Sequence, residues 1–585
     1  MTLRANRVFR TMLRTVAPVA FLLVLAAPAR AAHTVTDFSL VTASTQAGAS
    51  VDASSSTSLS YSDPTDDVKK TIGHFAPGLL ANPEAVPHCP QALYLADNCP
   101  PETLIGSSEA DVDLLPNLGI VTTTTGRIYN QELLGSEAGR LGIIVDTLPS
   151  KTFLTAPFYV RSDGDYGLDG VLDDLPRTIA GVGNIQIKRL KFTLFGTVNG
   201  RNYTRGPTSC SLHTSTGDAY AYDHPESASG PSSSFTPTGC DRLPFAPTFA
   251  ISVGSRGRNG FLSHPPLSVT VTQAAGEAGI LGNGVKLPIE LTPNVTAFAS
   301  ICSAAQLATD SCPADSQVGT TSATSPFVAN PLSGPVYLVQ QAGSVLPGLV
   351  ADLRGRVRVK LQIATSIIDG RQIKSTVTGA PDLPIGSFQL SLDGGTKGVL
   401  TAKSDLCFSS AARRRFRTLK AAVDFTGQNG ATTSSNPRIA VAGCAPKASL
   451  SLRRARRARP LLSLKVERHP DSPKLQRVEL KLPKGLKLVK RRLRKGASGQ
   501  ASSPLGRASF NLRGRRTLVL ANLPSGGAGS VSLTLRKGAI KPAAKLRRAL
   551  RNGRRAKLRF RVTAVDVSGN ADGVTRKVRI RRARR

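Results

Sequence analysis

One pattern of cysteines occurs twice in this chain and constrains its fold more than any other feature. Cysteines at positions 89, 99, 210 and 240 are followed by a second set at 302, 312, 407 and 444. In both sets nine residues separate the first two cysteines, and a proline follows the second. The segment CPQALYLADNCPPETLIGSS from Cys89 therefore aligns with CSAAQLATDSCPADSQVGTT from Cys302. Self-similarity of this kind indicates a duplicated structural unit.

Further landmarks occur in the same order in both copies. GRIYN at 126–130 matches GPVYL at 334–338, and Asp-Leu-Pro at 174–176 matches the same tripeptide at 382–384. We therefore divide the chain into repeat 1, residues 32–244, and repeat 2, residues 245–445. A third, cysteine-free region follows, residues 446–585, which we call the basic module.

The first 31 residues predict export. Arginines without any acid precede an apolar run of about a dozen residues that ends in Ala29-Arg30-Ala31, the order typical of a cleaved signal peptide. The run is shorter than the roughly 18 residues that a membrane span needs. We expect a secreted protein, extracellular or associated with the cell surface, with no integral membrane span after cleavage.

The cysteines could be metal ligands, a redox pair or disulfides. Structural zinc sites usually place two to four residues between paired ligands, whereas nine separate these, and His88 beside Cys89 is replaced by Ile301 in the second copy. Exported cysteines are usually oxidised in pairs. Four cysteines per repeat allow three pairings, of which we favour the neighbouring one: Cys89 with Cys99, Cys210 with Cys240, Cys302 with Cys312 and Cys407 with Cys444.

Alternating apolar and polar residues predict an all-β protein. Segments such as LSVTVTQ from Leu267 and LSLKVERH from Leu462 have the period of two that half-buried strands show. We expect tandem β-sandwich-like repeats with immunoglobulin-like segments. In the basic module RASFNL, TLVLANL, SVSLTL, KLRFRVTAVDV and VTRKVRI predict five strands of an antiparallel sandwich, and residues 542–555 predict one short helix.

Two resemblances accompany these patterns. The order of LPxGL, C-x9-CPxxSxxG, GxVYL, DLP and two further cysteines resembles that of uncharacterised secreted repeat proteins of high-GC soil bacteria, over roughly residues 36–445. That family implies export and repetition, and it implies no activity. The segment VTAVDVSGN from Val562 is similar to the last strands of bacterial immunoglobulin-like domains.

Motifs for catalysis or cofactor binding are missing from the sequence. It contains no G-x-S-x-G, H-E-x-x-H or phosphate-binding Gly-rich loop, and we predict no cofactor, no metal and no enzymatic activity. The acidic stretch SDGDYGLDGVLDD, from Ser162, is weakly similar to a calcium loop, but Leu168 stands where an EF-hand has glycine. We interpret it as a solvated turn.

Charge is concentrated in the basic module. Residues 446–585 hold 41 Lys and Arg against five acids, a net charge of +36, while the remaining chain has a net charge of +2. Such a module attracts polyanions with salt-sensitive affinity. The candidate contact residues lie in its basic runs: Arg453, Arg454, Arg456, Arg457, Lys490, Arg491, Arg492, Arg494, Arg547, Arg548, Arg554, Arg555, Arg581, Arg582, Arg584 and Arg585.

Three functional hypotheses remain at this point. The leading one is a non-enzymatic scaffold or interaction protein that its basic module holds at an anionic polymer of the cell envelope. The second is an extracellular polyanion or nucleic-acid binder that acts through residues 446–585. The third is a secreted hydrolase whose paired carboxylates come from separate loops.

Overall fold

The computed structural model describes most of the chain as antiparallel β-sheet. The described residues are 33–63, 65–116, 118–147, 151–162, 164–179, 181–409, 415–456, 459–501, 509–521, 523, 526–536 and 538–580. The predicted signal peptide, residues 1–31, lies outside them. The predicted all-β, sandwich-like fold class is confirmed.

The strands of repeat 1 lie between His33 and Phe235. They are β1 (His33–Thr42), β2 (Ala53–Tyr61), β3 (Val68–Phe75), β4 (Leu80–Ala81), β5 (Leu104–Asp113), β6 (Val121–Asn130), β7 (Gly139–Val145), β8 (Thr152–Val160), β9 (Leu168–Leu172), β10 (Thr178–Ile179), β11 (Gly183–Asn184), β12 (Gln186–Leu194), β13 (Thr197–Val198), β14 (Arg201–Asn202), β15 (Thr204–Arg205), β16 (His213–Ala221), β17 (Ala228–Ser229) and β18 (Ser233–Phe235). Twelve of them form one sheet in the order β1-β2-β12-β5-β6-β7-β8-β9-β3-β16-β17, with β18 beside β16.

The strands of repeat 2 lie between Thr248 and Val441. They are β19 (Thr248–Val253), β20 (Leu267–Thr272), β21 (Ile280–Lys286), β22 (Leu291–Pro293), β23 (Gln317–Thr324), β24 (Leu332–Val339), β25 (Gly348–Leu353), β26 (Val359–Ile368), β27 (Gln372–Val377), β28 (Ser387–Leu392), β29 (Leu400–Ala402), β30 (Leu419–Lys420), β31 (Ala422–Gly427), β32 (Thr432–Ser435) and β33 (Arg438–Val441). Thirteen form one sheet in the order β30-β33-β19-β20-β28-β23-β24-β25-β26-β27-β21-β31-β32.

The two large sheets share one topology. The path β1-β2-β12-β5-β6-β7-β8-β9-β3-β16 of repeat 1 corresponds strand for strand to β19-β20-β28-β23-β24-β25-β26-β27-β21-β31 of repeat 2. In repeat 1 the sheet curls until its edges meet, since His33 Nε2 lies 3.0 Å from the Ala219 carbonyl oxygen and the Leu40 N–H donates to Ser233 Oγ. The apolar inner faces form a separate core in each repeat.

The eight cysteines form four disulfides that tie loops to these sheets. The bonds join Cys89 to Cys99, Cys210 to Cys240, Cys302 to Cys312 and Cys407 to Cys444, which are the neighbouring pairs favoured above. The short helices α1 (Gln91–Leu95) and α2 (Ala304–Ala308) lie inside the two nine-residue loops. The N–H groups of Cys89 and Cys302 donate to the carbonyls of Asn130 and Leu338, so each loop is held at the end of an equivalent strand, β6 or β24.

The basic module is a sandwich of a four-stranded and a five-stranded sheet. Its strands are β34 (Lys447–Arg453), β35 (Leu461–Glu467), β36 (Leu475–Lys481), β37 (Leu486–Leu488), β38 (Ala497–Ala501), β39 (Ser509–Arg513), β40 (Thr517–Ala521), β41 (Ser530–Leu535), β42 (Ile540–Pro542), β43 (Ala556–Asp566) and β44 (Ala571–Ile580). The sheet orders are β34-β35-β41-β38 and β39-β40-β36-β43-β44. Leu464, Leu480 and Phe560 are buried between the sheets.

The prediction of one helix in the basic module was wrong, because the described part of the module has two. They are α3 (Lys490–Gly496) and α4 (Ala544–Arg551). The second of these is the predicted helix. In α3, Leu493 is the single buried apolar side chain of a basic run, so the sequence gives no helical periodicity there. Packing of Leu493 against the module's core stabilises a helix that the local pattern does not specify.

Buried polar contacts join the repeats. Thr208 donates to the carboxylate of Asp382 from its Oγ1, at 2.6 Å, and from its backbone N–H, at 2.5 Å. Asp382 belongs to the second Asp-Leu-Pro tripeptide and is buried, whereas its counterpart Asp174 in repeat 1 is exposed. The same Asp-Leu-Pro motif is therefore exposed in repeat 1 and takes part in the contact between the two repeats in repeat 2.

A carboxyl group is buried beside another in repeat 1. Asp66 and Asp67 are both fully buried. Asp67 Oδ1 accepts from the Val68 and Ile187 N–H groups, while Oδ2 has no hydrogen-bond partner among the described residues. Burial raises the pKa of Asp67 to about 6, because a low-dielectric site disfavours the charged form.

Candidate polyanion-binding surface

The alternating sequence of β43 separates its apolar and basic side chains. Leu558, Phe560 and Val562 are buried in the sandwich core. Arg559 and Arg561, which lie between them, are exposed. Successive side chains of a strand point to opposite faces. The apolar side chains therefore fix the direction in which the arginines point, which is away from the sandwich core.

Neighbouring strands add cations to the same face, and their register places like charges opposite one another. Three cross-strand pairs result: Lys557 with Arg579, Arg559 with Lys577, and Arg561 with Lys481. All six side chains are exposed. We call this set, Lys481, Lys557, Arg559, Arg561, Lys577 and Arg579, the cationic sheet face.

The cationic sheet face concentrates positive charge at a cost to folding. Directly opposed residues of an antiparallel pair have Cβ atoms about 4.5–5.5 Å apart, and opposed like charges destabilise a sheet by roughly 0.2–1 kcal/mol per pair. Along one strand, alternate residues repeat about every 6.6 Å. The result is a two-dimensional array of cations on a rigid sheet, suited to a ligand with several regularly spaced negative charges.

The nearby acids have other partners. Glu479 Oε1 lies 3.4 Å from Arg477 Nε and 3.6 Å from an Arg513 nitrogen. At the far end of the β43–β44 hairpin, Asp572 pairs with Arg256 of repeat 2. No ion pair between described residues includes a member of the cationic sheet face. The charge of this face is therefore available to an external anion.

The candidate residues from the sequence are not members of the cationic sheet face: the described ones lie at and just after the end of β34, in α3, in α4 and in the loop before β43. Arg453, Arg454, Lys490, Arg491, Arg492, Arg547, Arg548, Arg554 and Arg555 are exposed. Arg456 donates to the Leu550 carbonyl oxygen at 2.6 Å, which joins the segment after β34 to the C-terminus of α4, where a cation is favourable. Arg494 lies in α3. Arg457, Arg581, Arg582, Arg584 and Arg585 lie outside the described residues.

The sequence analysis therefore missed the cationic sheet face. Its signal was present in KLRFRV and TRKVRI, where basic and apolar residues alternate. What the sequence could not supply was the register, because opposition of Lys557 to Arg579 depends on the hairpin pairing and that of Lys481 to Arg561 depends on a strand far away in the chain.

The acidic stretch of repeat 1 is engaged by an arginine. Arg161 pairs with Asp165 at 2.9 Å and with Asp169 at 2.6 Å. His74 Nδ1 also lies 2.9 Å from Asp169 Oδ1, while Nε2 lies 3.3 Å from an Asp218 oxygen. Asp163, which the calcium-loop interpretation also needed, lies outside the described residues. Asp165 and Asp169, two of the four described carboxylates of the stretch, thus already have cationic or imidazole partners.

Comparisons with known proteins add distant similarities of fold alone. No protein-family model and no curated protein matches this chain. Among solved structures, the Enterococcus faecalis MSCRAMM ACE, which binds its ligands by the collagen hug model, is 8% identical, covering 57% of this chain and 94% of its own, with a TM-score of 0.18. A Corynebacterium diphtheriae protein described as membrane anchored is also 8% identical, covering 81% of this chain and 96% of its own, with a TM-score of 0.17. At such scores these likenesses carry no functional argument.

Within the described residues, no helix is long and apolar enough to cross a membrane.

Proposed function

We propose that this protein is a secreted, non-enzymatic interaction protein that its basic module holds at an anionic polymer of the cell envelope. The observation that carries the proposal is the set of three opposed like-charge pairs on the cationic sheet face. A bound polyanion would place negative charge against these cations, and its attraction to them would offset their mutual repulsion. The two disulfide-bonded repeats then act as a scaffold carried at that surface.

The ligand is expected to be a polymer rather than a single small anion. Six exposed cations spread over strands β36, β43 and β44 can each contact a separate negative group. Every contact releases condensed counterions from the polymer, so the affinity rises with the number of contacts and falls steeply with salt. A small anion reaches only one or two of the cations and gains little of this effect.

Fractionation of the producing cells tests the proposal. The intact chain should sediment with the cell envelope and should be released by high salt, because salt screens exposed charges and removes the gain from counterion release. A variant lacking residues 446–585 should appear in the medium at any salt concentration. Retention of that variant on the envelope, or retention of the intact chain at high salt, would contradict the proposal.

The nucleic-acid alternative predicts a different competition result. Phe510 and Phe560 are the only aromatic residues of the basic module. Phe560 is fully buried and Phe510 packs against the core, so neither can stack on a base. Single-stranded DNA added to washed envelopes should therefore release the protein only as well as a polyphosphate of equal charge does. Clearly stronger release by DNA would favour the nucleic-acid function.

A further inference from the structure

Repeat 2 encloses an apolar cavity of about 170 Å³ between the inner faces of its curled sheet. Val269, Leu361 and Phe388 line it, and all three remain only half-buried although they pack against the core cluster. Among the described residues that line the cavity, none is charged. An apolar cavity of roughly 150 Å³ in another protein stays dry and takes up a hydrocarbon, so this space is large enough for an apolar ligand.

The cavity extends along the strands. On β28 its lining residues run from Phe388 to Leu392, and on β26 from Val359 to Ile363. Each run covers four steps along a strand, or about 13 Å at 3.2–3.4 Å per residue. A volume of about 170 Å³ over that length is narrow, which suits a linear chain better than a broad ring system.

The equivalent strands of repeat 1 provide a comparison for the strands that line the repeat 2 cavity. Gly106 pairs with Leu194 in repeat 1 as Gly319 pairs with Leu392 in repeat 2, which fixes the equivalence of the two sheets. Strands β2 and β20 then align residue by residue against β12 and β28. In repeat 2, Leu267, Val269 and Val271 stand where repeat 1 has Ala53, Ser55 and Thr57.

These replacements make the wall of the repeat 2 cavity more apolar. Repeat 1 also has a cavity, of about 130 Å³, which Ser55 and Thr57 line with hydroxyl groups. At the corresponding positions repeat 2 has the methyl groups of Val269 and Val271. Since Ser55 and Thr57 make the repeat 1 wall more polar, only repeat 2 presents a fully aliphatic wall on this strand.

Exposed and half-buried residues mark one end of the cavity. Thr324, which also lines it, is exposed, and its Oγ1 lies 2.8 Å from Ser387 Oγ. Leu383 and Ile385 of the adjoining loop are half-buried lining residues. Asn283 and Ser375 also line the cavity, so polar side chains are not confined to this end. Because this end is the more exposed one, a polar head of the ligand meets solvent here, while the hydrocarbon tail lies along the aliphatic side chains of the strands.

We propose that repeat 2 binds one linear aliphatic chain inside its curled sheet, with the polar head of the ligand in solvent at the exposed end near Thr324. The ligand class is a lipid-like molecule whose buried part is uncharged, since the described lining offers no charge to pair with an ionised group. This binding site is separate from the cationic sheet face and does not depend on the function proposed for that face.

The chain contains no tryptophan, so a single introduced tryptophan reports on the cavity. In the full-length protein, Phe388→Trp places the reporter in the lining, and Phe261→Trp places the matched control at a side chain that is 68% exposed. The probe is a terminally brominated 1-decanol, whose bromine quenches tryptophan on contact and whose head cannot bind the basic module. We expect saturable quenching of the Phe388→Trp protein and none of the control.

A series of unbrominated 1-alkanols used as competitors tests the shape of the site. The affinity should rise about fourfold for each added methylene while the chain is being buried, and it should stop rising once the cavity is filled. Val269→Phe in the Phe388→Trp background fills the cavity and should abolish the quenching. Leu361→Trp provides a second reporter if Phe388→Trp does not fold.

The same reporter distinguishes the two sources of an aliphatic chain. Quenching by vesicles of brominated phosphatidylcholine would assign the ligand as a membrane lipid, whereas quenching by the free alkanol alone would assign a free lipid-like molecule. The proposal is overturned if no reporter in the lining is quenched, if Val269→Phe leaves the quenching unchanged, or if the exposed control is quenched equally.

Discussion

Replacing Arg559 and Lys577 with glutamine tests the cationic sheet face directly. The two residues face each other across β43 and β44, and both are exposed. Their removal deletes one like-charge pair and leaves the buried side chains between them untouched. The variant should therefore bind a polyanion more weakly and fold more stably, a combination that a purely structural role would not produce.

The size of both effects follows from the structure. If each of the six cations of the face contacts one phosphate of duplex DNA, the slope of log Kobs against log salt is about −5, from roughly −0.9 per contact. Removing two contacts should lower the steepness of the slope by about 1.8. Relief of one opposed pair should stabilise the β43–β44 hairpin by roughly 0.2–1 kcal/mol.

Two measurements on the full-length chain check these values. Fluorescence anisotropy of a labelled DNA duplex over a series of salt concentrations gives the slope, and amide hydrogen exchange of peptides from β43 and β44 gives the local stability. Arg547→Gln with Arg548→Gln is the matched control, because both residues are exposed and belong to α4, not to a strand of the sheet face. Equal slope changes in the two variants would refute the role of the face and leave net charge as the cause. An unchanged slope in the Arg559/Lys577 variant would refute it as well.

Three further predictions concern stability. Asp67→Asn replaces a carboxyl whose pKa is raised to about 6. Because the folded state favours the neutral form of this carboxyl, the wild type loses stability as pH rises from about 4 to 6. In urea unfolding the variant should therefore gain about 3 kcal/mol relative to the wild type over that range. Asp382→Asn weakens the charged acceptor of Thr208 and should lower the free energy of unfolding by about 1–2 kcal/mol. Asp174→Asn, at the exposed counterpart, should leave the free energy of unfolding nearly unchanged in the same calorimetric scan. Replacing Cys302 and Cys312 with serine opens a loop with a sequence separation of 10 residues and should cost about 3 kcal/mol in chemical denaturation; an unchanged midpoint would contradict this.

Much of the architecture is readable in the sequence because it depends on local spacing. The nine-residue interval between Cys89 and Cys99 recurs between Cys302 and Cys312, and both pairs are disulfides around a short helix. The alternation of apolar and polar residues predicted strands, because a strand exposes every second side chain to one face. Helix α3 was missed because its sequence has no apolar periodicity, and Leu493, its one described buried side chain, meets the core only in the tertiary structure.

The tertiary structure decided which residues act together. The sequence by itself determined that the charge lies in residues 446–585, but only the strand register opposes Lys557 to Arg579 and Lys481 to Arg561. The same limit applies to Asp382, whose motif is identical to that of Asp174 and whose burial depends on the contact with repeat 1. Composition and periodicity depend on residues that are neighbours along the chain. Opposed charges, contacts between repeats and enclosed cavities form between strands that are far apart in the sequence.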